Sequence, residues 1–270
     1  MAVRGGGLLL GAIAGDIIGS PYRGEAPPGG AYDFPLFTGD SRFAANTVMT
    51  VAVAWCLLTG TDYEVALTRY LSYFPGSKQD GLPPDRQGNA STRYGICAPG
   101  SPAGAVAPLG LALDTLEEVL EEAGRIAIAL CDRDEAVESA RAAAAAVFLA
   151  RKGRSQQEIR EFIEENFFCD LNEEPGGGHS GRESEYALSL MVGRAIRSFS
   201  EAGDFEDAVR RAVSAGGDGS LTACIAGGVA HPFFGGVPGQ IQGEVLDRLD
   251  ERLITVALKF MDRYLPGWTG

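Results

Sequence analysis

Apolar residues recur at helical spacing along most of this chain, and runs in which apolar and polar residues alternate are scarce. Because a half-buried strand needs an alternation of period two, this pattern predicts an all-α fold. The chain has neither an internal repeat nor a polar linker, so we expect one domain over residues 1–270. The predicted helices cover residues 5–19, 46–59, 62–74, 113–131, 134–152, 155–167, 185–202, 204–215, 220–231 and 242–264.

Two of these helices begin with capping sequences. Asp114 is followed by Glu117, and Ser155 by Glu158, so an oxygen acceptor precedes a carboxylate by three residues. This is the spacing of a capping box, in which each side chain accepts a hydrogen bond from the other residue's backbone N–H. Residues 142–149 are apolar nearly all round, which predicts a central helix packed closely by its neighbours.

Charge and cysteine content exclude several classes of function. The 36 acidic and 23 basic residues give a formal charge of −13, and no basic patch offsets it, so a nucleic-acid partner is not expected. The five cysteines are odd in number and form no CxxC pair, which indicates neither a disulfide framework nor a zinc knuckle and favours a reducing cytoplasm. The apolar N-terminal run resembles a short signal peptide, but Asp16 ends it, and we interpret it as a buried first helix.

Six ordered segments carry a family resemblance: GAIAGDIIGSPY (11–22), DFPLFTGDSRFAANTVMTVAVA (33–54), APLGLALDTLEEVLE (107–121), AAAAVFLARKGRSQQEIREFIEENF (143–167), DFEDAVRRAVSAGGD (204–218) and IAGGVAHPFFGGVP (225–238). In this order and spacing they resemble the ADP-ribosylglycohydrolase family, which includes the dinitrogenase reductase-activating glycohydrolase. The resemblance implies a compact orthogonal multi-helix fold with a cleft that binds ADP-ribose over two magnesium or manganese ions. Those ions would activate a hydroxyl or a water for hydrolysis of the glycosidic bond.

Two short clusters depart from the family pattern where it places the metal ligands. The first family cluster is Ser/Thr, Asp, Asp and Thr, and this chain reads Ala44, Ala45, Asn46 and Thr47. The second is Gly, Gly, Asp, Ser, Asp and Thr, and this chain reads Gly216, Gly217, Asp218, Gly219, Ser220 and Leu221. Only Asp218 keeps a carboxylate, which cannot neutralise two divalent ions. We therefore predict a degenerate metal site and no metal cofactor.

Other positions of the family pattern also lack their ligand-contacting side chains. The acidic residue that often follows the SPY segment is replaced by Arg23, with Glu25 two residues later. The Asn-Gly-x-x-Met-Arg loop of the family reads GSPAGA at residues 100–105, and the Thr-His-x-His segment reads LCDR at residues 130–133. Core segments such as FLARKG and DFEDAV remain recognisable. The family's packing residues are therefore kept, although its ligand-contacting residues have been replaced.

The polar residues that remain near the expected cleft form the candidate site. The candidate catalytic carboxylates are Asp218 and Glu25, and the candidate ligand-binding residues are Asp16, Arg42, Asn46, Thr47, Ser101 and Ser220. Structural alternatives stand beside these roles. Asp16 would only bond a neighbouring helix start, and Thr47 would cap or pack at the start of its own helix. Arg42 would pair with Asp40 instead of a phosphate.

Three functions fit these features. The first is a pseudoenzyme that binds, or acts by altered chemistry on, ADP-ribose, another nucleotide or a ribosylated metabolite. The second is a metal-independent hydrolase of an N- or O-glycosidic ADP-ribosyl bond, which needs a carboxyl group with a raised pKa. The third is a structural protein, because the J-type crystallins of the lens resemble these hydrolases. We rank them in this order and expect a small-molecule partner, with no nucleic acid and no membrane.

Overall fold

The computed structural model describes residues 9–24, 26–28, 32–74, 101–131, 133–169, 171 and 187–264. The described residues form the predicted all-α fold, and one isolated β-bridge between Arg23 and Asp218 is their sole extended pairing. A 3₁₀ turn (Ser20–Tyr22) follows the first helix. The helices are α1 (Leu10–Gly19), α2 (Ala45–Thr59), α3 (Tyr63–Tyr73), α4 (Ser101–Ala105), α5 (Ala107–Ala112), α6 (Leu116–Leu130), α7 (Asp134–Arg151), α8 (Gln156–Asn166), α9 (Ala187–Ser200), α10 (Phe205–Ser214), α11 (Gly219–Phe234), α12 (Gly239–Arg248) and α13 (Glu251–Tyr264).

The helix predictions are confirmed in most places and wrong in two. The short helices α4 and α5 were not predicted, because glycine and proline interrupt residues 102–110 and only burial between longer helices holds them. The single predicted helix over 242–264 is two helices, with a break at Leu249 and Asp250. Leu249 turns into the core there, and the side chain of Asp250 accepts a hydrogen bond from the N–H of Arg252 (2.9 Å) as the chain becomes helical again. Residues 5–8 and 185–186 of the predicted helices lie outside the described residues.

One predicted capping box is confirmed and the other is shifted by one residue. Ser155 and Glu158 form the predicted box at the start of α8. At the start of α6 the box joins Thr115 and Glu118, whose N–H donates to Thr115 Oγ1 at 3.2 Å, so the assignment to Asp114 and Glu117 is wrong. Thr115 offers a hydroxyl acceptor in place of the predicted Asp114 carboxylate, and the helix begins one residue later as a result.

Helices α1 and α11 form the centre of the molecule. Every residue of α1 is buried, and so is α11 from Gly219 to Pro232. The two helices run antiparallel in close backbone contact, because Gly11, Gly15 and Gly19 lie on one face of α1 and have no side chain to separate them. The alanine-rich α7 packs on α11 with residues 142–147 buried, which confirms its predicted central position.

Three described cysteines, Cys56, Cys169 and Cys224, are buried free thiols, whereas Cys131 is disulfide-bonded. The number and spacing of the cysteines argued against disulfides, and for Cys131 that expectation is wrong, since pairing depends on which residues the fold brings together. In the described part of the chain, no helix combines the length and apolar content that crossing a membrane requires.

Candidate functional site

The carboxylate of Asp16 lies at the centre of a buried hydrogen-bond cluster, called here the Asp16 cluster, which comprises Asp16, Ala44, Asn46, Thr47 and Ser220. Its Oδ2 accepts hydrogen bonds from the N–H of Ala44 (2.8 Å) and from the N–H and hydroxyl of Thr47 (3.1 and 2.6 Å). Its Oδ1 accepts from the hydroxyl of Ser220 (2.5 Å) and the amide of Asn46 (3.2 Å). Five neutral donors therefore solvate one buried carboxylate in place of water.

The Asp16 cluster forms because three helix segments meet at one point. Asp16 lies in the middle of α1, whereas Thr47 and Ser220 lie in the first turns of α2 and α11. The N-cap position of α2 is Ala44, whose side chain cannot accept a hydrogen bond. The first backbone N–H groups of a helix need acceptors, and Asp16 supplies them from another helix. Asp16 therefore bonds the start of a neighbouring helix, as its structural alternative predicted.

Asp218 stands beside this cluster at the start of α11. Its Oδ1 accepts a hydrogen bond from the N–H of Leu221 (3.1 Å), so the side chain is the N-cap of that helix. Burial raises the pKa of the Asp218 carboxyl above its ordinary value, the charge of Asp16 raises it further, and the N–H of Leu221 and the positive charge of Arg23 oppose the rise. Among the candidate residues, Asp218 thus combines a structural role with a perturbed protonation equilibrium.

The remaining candidate residues are not gathered in the same way. Arg42 is exposed, its backbone N–H donates to Ser20 Oγ at 3.0 Å, and no ion pair joins it to Asp40, so the predicted pair is not formed. Ser101 is the first residue of α4, and its side chain is outside what the structure describes. Glu25 lies outside the described residues altogether, so its place relative to Asp218 is not defined.

A second polar contact beside the cluster was not predicted from the sequence. The carbonyl oxygen of Gly104 in α4 accepts hydrogen bonds from Thr50 Oγ1 (2.9 Å) and from the Cys224 thiol (3.4 Å). A Cβ atom on Gly104 would lie 2.7 Å from Oδ1 of Asn46, which is too close for a normal contact. A glycine at this position therefore lets the Asn46 side chain keep its observed position. Burial raises the pKa of the Cys224 thiol well above its ordinary value, which keeps it protonated as a donor.

A surface depression of about 480 Å³ lies at the start of α8 and the end of α9, and none of its lining residues belongs to the Asp16 cluster. The side-chain amide of Gln156 donates there to the carbonyls of Phe199 (2.7 Å) and Ala202 (2.8 Å). These bonds tie α8 to the end of α9.

The family model for ADP-ribosylglycohydrolase matches residues 3–265, and the chain therefore belongs to the ADP-ribosylglycohydrolase family. A solved structure titled "ADP-ribosylglycohydrolase-related protein complex" matches 97% of this chain and 98% of its own, with a TM-score of 0.69 and 21% sequence identity. At that identity the likeness establishes a shared fold. The comparison with curated proteins finds no match.

Proposed function

We propose that this chain is a divergent member of the ADP-ribosylglycohydrolase family that has lost the dimetal site. It binds, or acts by altered chemistry on, ADP-ribose, another nucleotide or a ribosylated metabolite. The observation that carries the proposal is the Asp16 cluster. The starts of α2 and α11, where the resemblance places the metal ligands, meet there through the neutral side chains of Asn46, Thr47 and Ser220.

The residues at this point do not fit two divalent ions. Four positive charges would face two carboxylates, Asp16 and Asp218, and the oxygens of Asp16 already accept five hydrogen bonds. Hard cations prefer several anionic oxygen ligands, whereas Asn46 and Ser220 direct donors at Asp16. No group of three or more His, Cys, Asp or Glu side chains gathers among the described residues. We therefore propose no metal-dependent step for this chain.

Retained packing around a changed site supports a retained ligand. Buried polar clusters cost stability unless every member is satisfied, and a side-chain N-cap on α2 would satisfy the start of that helix without one. Here the polar residues remain at the point where α1, α2 and α11 meet, and the helices around them are kept. A protein that still binds a sugar or nucleotide at this point needs the starts of α2 and α11 held in place, which is what the Asp16 cluster does.

Metal-independent hydrolysis of an ADP-ribosyl bond is the second candidate function. The observation that favours it is the carboxyl group of Asp218, because burial raises its pKa. A carboxyl group that holds its proton nearer to neutral pH can protonate a leaving-group oxygen. Glycosidic acid–base pairs need a second carboxylate within roughly 5 to 10 Å. Asp16 already accepts five hydrogen bonds, so the second carboxylate of such a pair would have to come from another residue such as Glu25. We therefore rank this function second.

Calorimetric titration with ADP-ribose tests the first proposal. The purified chain is titrated once with EDTA and once with magnesium or manganese, and each mixture is then analysed chromatographically for hydrolysis products. We expect binding that is the same with and without metal, and no product. The Asn46→Leu and Ser220→Ala variants should bind more weakly than the Gln157→Leu control, whose side chain lies exposed on α8.

Each outcome assigns one function. Product that forms in EDTA and is lost in Asp218→Asn would move metal-independent hydrolysis to first place. Affinity that appears only with metal would contradict the lost dimetal site. No binding of ADP-ribose, of adenosine monophosphate or of ribose 5-phosphate would contradict the ligand proposal and leave the structural role.

A further inference from the structure

Helices α3, α6 and α13 adjoin one another at the surface and are called here the α3 layer. Both α3 and α13 pack on α2, and α6 packs beside α3, where the hydroxyl of Tyr63 donates to Glu122 Oε2 at 2.7 Å. Near the end of α3, the guanidinium group of Arg252 in α13 lies 5.2 Å from the centre of the Tyr73 ring. The exposed side of α3 is therefore flanked by α6 and by α13.

Exposed apolar side chains are concentrated on the α3 layer. Six large hydrophobic side chains are exposed among the described residues, and four of them lie on these three helices: Val65 and Tyr73 on α3, Ile128 on α6 and Leu258 on α13. Single exposed apolar residues are ordinary on a protein surface, whereas several on adjoining helices are typical of a surface that another protein covers.

Charged side chains divide the α3 layer into an acidic half at the start of α6 and a basic half where α3 borders α13. The exposed carboxylates are Asp114, Glu117, Glu118 and Glu121, and the exposed basic groups are Arg69, Arg252, Lys259 and Arg263. None of these eight groups has an oppositely charged group within 4.0 Å in the part of the chain that the structure describes. Each half therefore carries charge that ion pairs within the described chain do not neutralise.

The basic groups of α13 lie on the side of that helix that borders α2 and α3. Arg252 contacts α3 as described above, and Arg263 donates from Nη1 to a carbonyl at the end of α2 at 3.0 Å. Lys259 shares this side, because it follows Arg252 by seven residues and precedes Arg263 by four. Two exposed carboxylates of α13, Glu251 and Asp262, lie about 90° away around the helix axis. Positive charge is thus concentrated along the boundary between α3 and α13.

The α3 layer is large enough for a specific protein interface. Its helices have 11, 15 and 14 residues. At about 1.5 Å per residue they are roughly 16 to 22 Å long, and at a spacing of about 8 to 10 Å they present roughly 500 Å² of flat surface. Two copies of the layer would together bury on the order of 1,000 Å², which is the lower limit for specific interfaces.

We propose that two copies of this chain form a twofold-symmetric dimer through the α3 layer. A twofold axis over α3 places the acidic half of each copy against the basic half of the other, so each complementary contact is made twice. A chain with a formal charge of −13 repels its own copies, and opposite charges at the contact offset that repulsion. The inference is independent of the proposed function, because no residue of the α3 layer belongs to the Asp16 cluster.

Sedimentation velocity of the purified chain over micromolar concentrations tests the dimer. We expect a transition from one to two chains as the concentration rises, and weaker association in added salt, which screens the charge pairs. Val65→Gln should weaken the dimer about tenfold or more, because it removes an apolar contact at the centre of the interface. Phe168→Gln is the control, since it removes an exposed aromatic side chain outside the α3 layer and should leave association unchanged.

A charge swap tests the complementary halves. Glu121→Lys and Lys259→Glu should each weaken the dimer about tenfold, because each places like charges opposite one another. The double variant should associate more tightly than either single one, since it exchanges the charges and restores attraction. Glu165→Lys makes the same charge reversal on α8, which packs on α7 and α9, and should not weaken the dimer.

Three outcomes would overturn the proposal. The wild-type chain could remain a monomer at every concentration, it could associate without limit beyond two copies, or it could form a dimer that Val65→Gln and Glu121→Lys leave as tight as their controls do. All of the substituted residues are exposed, and thermal melts of each variant establish that a lost association is not a lost fold.

Discussion

At the scale of single residues, Asp16 provides the hydrogen-bond acceptor at the start of α2 that the side chain of Ala44 lacks. A helix start without a side-chain acceptor leaves backbone N–H groups to be satisfied from elsewhere. Asp16 accepts two of these N–H groups together with two hydroxyls and an amide, all of them buried. Its carboxylate therefore joins α1, α2 and α11 in a way that no neutral side chain of the same size reproduces, because only a carboxylate is an acceptor at both oxygens.

We expect Asp16→Asn to lower the free energy of unfolding by about 3 kcal/mol or more. The new NH₂ group would face donors of Thr47 or Ser220, so buried donors would lose their acceptor. The measurement is urea unfolding at pH 7. Asp204→Asn is the control, since Asp204 is an exposed N-cap to the N–H of Asp207 (2.8 Å) and asparagine caps equally well, so its change should stay within about 0.5 kcal/mol. Equal losses in the two variants would contradict the central role of Asp16.

The raised pKa of Asp218 predicts a pH dependence of stability. A carboxyl group whose folded-state pKa lies above the unfolded value of about 3.9 binds its proton more tightly in the folded state. Its contribution is complete below that value and is lost as the pH rises through the folded pKa. Asp218→Asn keeps the cap on Leu221 N–H and cannot titrate, so its stability relative to wild type should rise with pH from about 4 upward. A stability difference that stays constant over this range would show that burial does not perturb Asp218.

At the scale of helices, the contact of α1 with α11 depends on missing side chains. A Cβ on Gly15 would overlap the backbone carbonyl of Ala223, and one on Gly19 would overlap that of Gly219. Asp16 follows Gly15 directly, so the same close approach that lets the two backbones touch also brings Ser220 to the Asp16 carboxylate. The close packing of α1 against α11 therefore also determines the geometry of the candidate site.

Gly15→Ala should destabilise the protein by about 3 kcal/mol or more, because α1 and α11 would have to separate. Gly243→Ala is the matched control: Gly243 lies inside α12, and a Cβ there meets no atom within 4 Å. That change should be neutral or stabilising by up to about 1 kcal/mol, as alanine is the better helix former. Chemical unfolding of both variants measures the difference, and similar stabilities would contradict the close contact.

The elements and the site were predictable from the sequence to different extents. Helical periodicity predicted the long amphipathic and buried helices, but α4 and α5 depend on burial that local sequence does not encode. Asn46, Thr47 and Ser220 were predicted as neighbours through the family resemblance, and the structure brings them together on Asp16. The contact of Thr50 and Cys224 with the carbonyl of Gly104 was missed because these residues lie far apart in the chain and only the fold brings them together.

At the scale of the whole molecule, the family fold surrounds a point where two carboxylates, Asp16 and Asp218, already accept hydrogen bonds from the protein's own donors. A ligand stabilises a protein only as far as it binds the folded state. Magnesium or manganese at millimolar concentration should therefore change the melting temperature of the wild-type chain by less than about 1 °C. Thermal melts in EDTA and in each metal provide the measurement, and a rise of several degrees would contradict the lost metal site.

Restoring the family ligands should reverse this behaviour. In the variant with Ala45→Asp, Asn46→Asp, Ser220→Asp and Leu221→Thr, three new carboxylates would face Asp16, and their repulsion should lower the melting temperature by about 10 °C without metal. Manganese should then raise it by about 5 °C or more, because the ions neutralise carboxylates that the helix starts hold together. Leu221→Thr alone adds no charge and should not respond to metal. If the fourfold variant folds and also fails to respond, the starts of α2 and α11 are no longer placed to hold the ions, and the site has changed in geometry as well as in charge.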